Sequence, residues 1–149
     1  MLSAVTRPLS KQAVRNGLAG YSCSEAILVT YGPEFGLTRE TAMRMASGLA
    51  GGIGHSKGIC GAVSAACLVL GLAVGPSQPD EVFARQQSIL LCSEFLEQFA
   101  HINGSVLCSK LCFKSLPVDA DATTIRKSGI PEQLIRNAAE LTESLLATV

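Results

Sequence analysis

The chain has 149 residues, enough for one domain that buries roughly two thirds of its unfolded surface, so it needs neither metal nor disulfide merely to fold. Twelve basic residues balance twelve acidic ones with no Lys/Arg cluster, which excludes the basic footprint of a nucleic-acid binder and the polybasic patch of a membrane-surface protein. Only 16% of residues are charged and 48% are apolar, an excess expected to be covered in a homo-oligomer, most simply a two-fold dimer.

Met1 to Lys11 lacks the apolar core of a secretory leader, so the expected location is the cytoplasm, where structural disulfides are rare. Pro8 to Leu18 predicts a short first helix with Ser10 as a weak cap, broken by Gly17, Gly20 and Tyr21. Ser22 followed by Glu25 is a capping-box pattern, and the helix it opens runs to Gly32-Pro33 or Gly36. Thr38 caps the next, with Glu40 in its first turn and an apolar face of Ala42, Met43, Met45, Ala46 and Leu49.

Gly48 to Gly58 then contains five glycines and no Asp, Asn or Pro, unlike an ordinary polar turn. Ile59 to Leu72 predicts a central helix stopped by Gly75-Pro76. The apolar run to Val74 is shorter than the ~20 residues that span a bilayer. Small residues at Gly58, Ala62 and Ala66 and at Gly61 and Ala65 permit close approach of another helix, within the chain or across a dimer seam.

Ser77 or Asp80 opens a long helix to about His101, with Val82, Phe83, Ile89, Leu90, Phe95, Leu96 and Phe99 at helical spacing, closed by Asn103-Gly104. Ser105 to Phe113 gives one or two further turns and Lys114 to Ala122 a polar loop. Pro131 starts a final amphipathic helix carrying Leu134, Ile135, Ala138, Leu141, Leu145 and Leu146. Apolar spacing is helical wherever it is clear, and period-two alternation is missing. The expected fold is therefore all-α: one domain over residues 1–149, a compact bundle of about five to six helices.

The six cysteines match no Cys-x-x-Cys, c-type haem or ferredoxin spacing. Cys60 follows the glycine-rich loop and falls in the first turn of the central helix, where unpaired N–H groups and the helix dipole favour a thiolate. It reads either as a nucleophile or metal ligand, or as a small core residue at a tight crossing. Cys23, just after the cap Ser22, admits the same argument. Cys108 and Cys112, four apart, share one helix face and suit two ligands to one metal or two thiols offered to a third. Cys67 and Cys92 lie in apolar stretches and read better as inert core residues.

Other chemistry is thin. Around Gly52-Ile53-Gly54-His55-Ser56-Lys57-Gly58, a phosphate loop fails because the order is Lys-Gly, and a dinucleotide fingerprint fails because Lys57 stands at its third glycine. A looser anion site with Lys57 is left, against the plainer reading that most of these glycines let backbone pass close to a packed helix. His55 is close enough in sequence to tune Cys60. His101 reads as a helix C-terminal charge–dipole contact, and Glu94 and Glu97 as a solvated face.

Cys23 in Ser-Cys-Ser-Glu-Ala-Ile, Ala46-Ser47-Gly48 leading through Gly51-Gly52-Ile53-Gly54, Cys60-Gly61-Ala62-Val63-Ser64, Leu68-Val69-Leu70-Gly71-Leu72 and Gly104-Ser105 ahead of Cys108 together resemble the C_GCAxxG_C_C family of redox-active proteins. The resemblance runs from about Asn16 to the last helix. It implies a site of four cysteines, of which Cys23, Cys60 and Cys108 match three. The fourth, expected just before the last helix, is not seen near Ile130-Pro131, so either Cys112 replaces it or the site has three thiols. Ala65 replaces the closing glycine of the Cys-Gly-Ala-x-x-Gly motif.

The residues and the resemblance together lead to a thiol cluster of Cys23, Cys60, Cys108 and Cys112, with Cys60 as the low-pKa thiolate. It acts by reversible disulfide chemistry or holds a metal ion or iron–sulfur centre, with a redox partner protein and no nucleic-acid or membrane partner. The competing reading is a non-catalytic helical protein–protein interaction module with cysteines as core filler. A third is a small-ligand or anion binder at the Gly48-to-Cys60 loop.

Overall fold

A computed structural model describes residues 8–149, and all regular structure among them is helical. Eight α-helices are present rather than five or six: α1 (Ser10–Leu18), α2 (Cys23–Tyr31), α3 (Arg39–Ser47), α4 (Gly61–Val74), α5 (Val82–Asn103), α6 (Cys108–Leu111), α7 (Ala122–Lys127) and α8 (Ile130–Leu146). A 3-10 turn, Gly32–Phe35, follows α2. The excess over the expected number comes from short pieces. Helix α6 is a single turn, and α7, capped by Asp121 through the Thr124 N–H at 2.7 Å, stands at the end of the stretch expected to be loop.

Two helices form the centre. From Ser24 to Tyr31 only Glu25 escapes burial in α2, and α4 buries Ala62, Val63, Ala65, Ala66, Val69 and Leu70 completely. Helices apolar on every side are stable only inside a bundle, and α2 and α4 pack on each other. Amphipathic α8 lies across α1, α2, α4 and α5. Tyr31, fully buried, donates from Oη to Glu143 Oε1 at 2.6 Å, and Glu143 also accepts the Leu9 N–H at 2.7 Å, which ties α2 and the start of α1 to α8.

The end signals act largely as the residues suggest. Ser22 Oγ accepts the Glu25 N–H at 3.3 Å while Glu25 Oε1 accepts the Ser22 N–H at 2.9 Å, a complete capping box. Thr38 Oγ1 caps α3 through the Thr41 N–H at 3.1 Å. Gly104 closes α5 at φ 88°, and Pro131 sits in the first turn of α8. Three starts differ. Leu9 rather than Ser10 precedes α1, Glu81 rather than Ser77 or Asp80 precedes α5, and α4 begins at Gly61 so that Cys60 is its N-cap residue.

Helix α5 departs most from expectation. Of its apolar residues only Leu91, Phe95 and Phe99 are buried, whereas Val82, Phe83, Ile89, Leu90 and Ile102 are exposed, Phe83 by 79%. Apolar residues occur on both of its sides, so spacing alone does not select the inner one.

Candidate functional site

The glycine-rich segment after α3 is a left-handed coil. Gly51, Gly52, Ile53, Gly54 and His55 have φ between 57° and 75°, and Lys57 follows at 61°. Long-range backbone bonds close it, from Gly54 N–H to Gly48 O at 2.9 Å and from Gly58 N–H to Gly52 O at 3.0 Å. Each L-residue held left-handed costs about 1–2 kcal/mol, so glycine is favoured here for its backbone. A Cβ on Gly52 would also stand 2.6 Å from Gly58 N.

The coil delivers the chain to Cys60. Ile59 forms a single antiparallel bridge with Leu107, Cys60 N–H donates to Val106 O at 2.8 Å, and Cys108 N–H donates to Gly58 O at 2.7 Å. The starts of α4 and α6 are thereby clamped together. The start of α2 joins them because position 61 is glycine: a Cβ there would lie 3.2 Å from Ser24 Cβ and 3.3 Å from Leu49 O. Ser24 Oγ anchors this junction to the end of α3, donating to Ala46 O at 2.8 Å.

The result is a cavity of about 500 Å³ whose wall includes Cys23, Cys60, Cys108 and Cys112. Four thiols far apart in sequence thus face one space. Cys60, Cys108 and Cys112 are buried, and Cys23 is half-buried. Lys57 and Phe113 belong to the same wall: the Lys57 ammonium sits 4.4 Å from the Phe113 ring centroid and donates to Val118 O at 2.7 Å. The charge considered for an anion site is therefore held by an aromatic face and a carbonyl, and its field reaches Cys108. His55 lines the cavity from the exposed side. His101 lies elsewhere, in a shallow groove on the outer side of α5 beside Glu94, Glu97 and Ile102.

The four thiols are not equivalent. Cys112 donates a hydrogen bond to Cys108, which brings the Cys108 thiol down to about 7 against the opposing effect of burial, with the Lys57 cation assisting. The donor is pushed the other way: that same bond, then burial, raises Cys112 far above the ordinary thiol range. Burial raises Cys23 strongly, with the fields of Cys60 and Cys108 adding to it.

Cys60 corrects the sequence reading. Burial pushes it up to about 11, although the N–H groups of Ala62 and Val63 at the α4 start pull downward as a helix N-terminus should. The low-pKa thiol of the cavity is Cys108, selected by a neighbouring donor and a lysine rather than by a helix dipole.

No three His, Cys, Asp or Glu side chains among the described residues are set at metal-binding geometry. The soft thiolate donors suit zinc or an iron–sulfur centre in type, but their present placement does not make a coordination shell.

The family described as "Putative redox-active protein (C_GCAxxG_C_C)" matches residues 21–145. The chain belongs to this family. No curated protein and no solved structure matches it. Cys23, Cys60 and Cys108, the three cysteines assigned from the sequence resemblance, line the cavity of this C_GCAxxG_C_C protein together with Cys112. The Ala65 departure is absorbed in the interior, where its side chain is fully buried in α4.

Cys67 and Cys92, read from the sequence as inert core residues, pack against the core but are only half-buried. The two meet where α4 packs on α5, with Cys92 Sγ donating to the Cys67 carbonyl oxygen at 3.7 Å. The available signal was their symmetry. Cys67 and Cys92 are equidistant from the turn around Pro79-Asp80, which pairs them in an antiparallel helical hairpin.

Proposed function

We propose that the Cys108 cavity carries out reversible thiol–disulfide exchange, with Cys108 as the attacking thiolate and Cys112 as the resolving thiol. The observation that carries this reading is the placing of Cys108 and Cys112, one helical turn apart, on the wall of one cavity with Cys23 and Cys60, and the direction of the Cys108 shift agrees with it. A thiol with a pKa near ambient pH combines a large thiolate fraction with good nucleophilicity.

The Cys108 thiolate attacks one sulfur of a substrate disulfide. The substrate S–S bond breaks, and its far sulfur leaves as a thiolate that takes up a proton. Cys112 then gives up its proton and attacks the Cys108 sulfur, expelling the second half of the substrate. The protein loses two hydrogens to a disulfide and the substrate gains them as two thiols. Cys23 and Cys60 stand by as further exchange partners facing the same cavity.

A metal or iron–sulfur centre held by Cys23, Cys60, Cys108 and Cys112 is the rival reading. It requires the four sulfurs to draw together from their present positions. The interaction-module reading requires the cavity thiols to be inert.

The test is the pH dependence of iodoacetamide alkylation, followed residue by residue in a Cys92→Ser background that removes the other low-pKa thiol. Below pH 7 Cys108 is protonated and slow, and its rate should climb as pH rises through about 7. Cys60 should stay slow until far more alkaline pH. A first rise near pH 9 at every cavity thiol would refute the assignment.

A homodimer, with a redox protein as electron partner, completes the proposal. The exposed Phe83, Ile89 and Leu90 of α5, with Leu68 and Leu72 exposed on α4, support self-association.

A further inference from the structure

The exchange site above accounts for four cysteines and leaves two. Cys67, in the middle of α4, and Cys92, in the middle of α5, are brought together by the packing of these two consecutive helices. Cys92 Sγ donates to the Cys67 carbonyl oxygen at 3.7 Å, which sets the two side chains beside each other. Both keep part of their surface in solvent, whereas three of the four cavity thiols are buried. Neither residue lines the cavity. Cys67 is seven positions beyond Cys60 on α4, about 10 Å along the axis at 1.5 Å per residue, too far for direct exchange between the two sites.

We propose that Cys67 and Cys92 form a second, independent dithiol site that takes small-molecule disulfides from solvent and closes into a disulfide joining α4 to α5. Two facing thiols on helices already in contact need little backbone movement to bridge, and solvent access admits a small disulfide. Cys92 is the entry thiol, since the neighbouring Cys67 side chain brings it down to about 7 while Cys67 itself is raised.

The Cys92 thiolate attacks a sulfur of the small disulfide and forms a mixed disulfide. The other half departs as a thiolate and takes up a proton. Cys67 then loses its proton, attacks the Cys92 sulfur and releases the second half. Two protein thiols are oxidised and one disulfide is reduced to two thiols. Because α5 packs on both α4 and α8, the bond staples the longest helix to the centre of the bundle.

Full-length protein treated with oxidised glutathione tests this by elastase digestion and tandem mass spectrometry, since cleavage after the small residues Ala62 to Ala66 separates Cys67 from Cys60. Wild-type protein should yield a Cys67–Cys92 linkage and lose two alkylatable thiols at these positions. Cys67→Ser protein, with its helical circular dichroism intact, should instead stop at one glutathione on Cys92, for want of the resolving thiol. Cys108→Ser protein should form the Cys67–Cys92 bond as wild type does, so failure of the cavity chemistry and failure of this site read out separately. The proposal is overturned if both thiols stay alkylatable after treatment, or if Cys92 is found linked to a cavity cysteine.

Discussion

Cys108 and Cys112 differ chiefly in which of them donates, and that difference sets the chemistry. A thiol that receives a hydrogen bond is stabilised as thiolate, and one that gives it is stabilised as thiol. The order of causes makes a graded prediction. Cys112→Ala removes the larger influence and should move the Cys108 alkylation midpoint from about 7 upward toward the free-cysteine value of about 8.5. Lys57→Met removes only the third-ranking influence and should move it less, in the same direction. Site-resolved alkylation rates across pH measure both. An equal or larger shift for Lys57→Met would mean that the cation, not the neighbouring thiol, governs Cys108. None of this is visible in the sequence, where Cys60 at a helix start looks best placed. The dipole argument is sound in sign, but burial outweighs it there, and burial is a property of the whole fold.

At the scale of elements, the glycine-rich coil and the start of α4 carry the site. Gly52 has φ 75° and no room for a Cβ, since Gly58 N would be 2.6 Å away and its carbonyl 2.8 Å. Gly52→Ala should therefore destabilise by more than the roughly 1–2 kcal/mol of a left-handed L-residue, because backbone must also shift. Gly71, inside α4, is the counter-case, since a Cβ added there would meet nothing within 4 Å. Gly71→Ala should stabilise by roughly 0.5–1 kcal/mol through helix propensity. Urea unfolding of the two variants checks the pair, and similar effects at both positions would contradict this account of the coil. The elements themselves are largely legible in the sequence. Ser22 with Glu25, Thr38, Gly104 and Pro131 are local signals, and each marks an observed helix end. The inner face of α5 is not legible, because Val82, Phe83, Ile89 and Leu90 offer an apolar side as convincing as that of Leu91, Phe95 and Phe99.

For the molecule as a whole, convergence is what the sequence could least supply. The cavity unites the starts of α2, α4 and α6, and its closing contacts run between residues as distant as Gly61 and Ser24 or Cys108 and Gly58. The sequence resemblance suggests Cys23, Cys60 and Cys108 as a set and leaves Cys112 as a replacement for the missing fourth, and all four line the cavity wall. No helix among the described residues is long and apolar enough to cross a membrane. The exposed apolar side of α5 is the surface proposed for self-association. If two copies meet there, Leu90→Glu should turn a dimer into a monomer in size-exclusion chromatography with light scattering. A wild-type monomer at high concentration would remove the dimer from the account.

The central claim is that the cavity thiols exchange electrons as a dithiol. Native mass spectrometry of protein purified without oxygen, before and after oxidised glutathione, tests it most directly when the linked residues are then mapped. The account predicts an apo mass that loses two hydrogens for each bond formed, with Cys108 joined to Cys112. Bound mass lost on denaturation, or cavity thiols that come through oxidation unpaired, would contradict it.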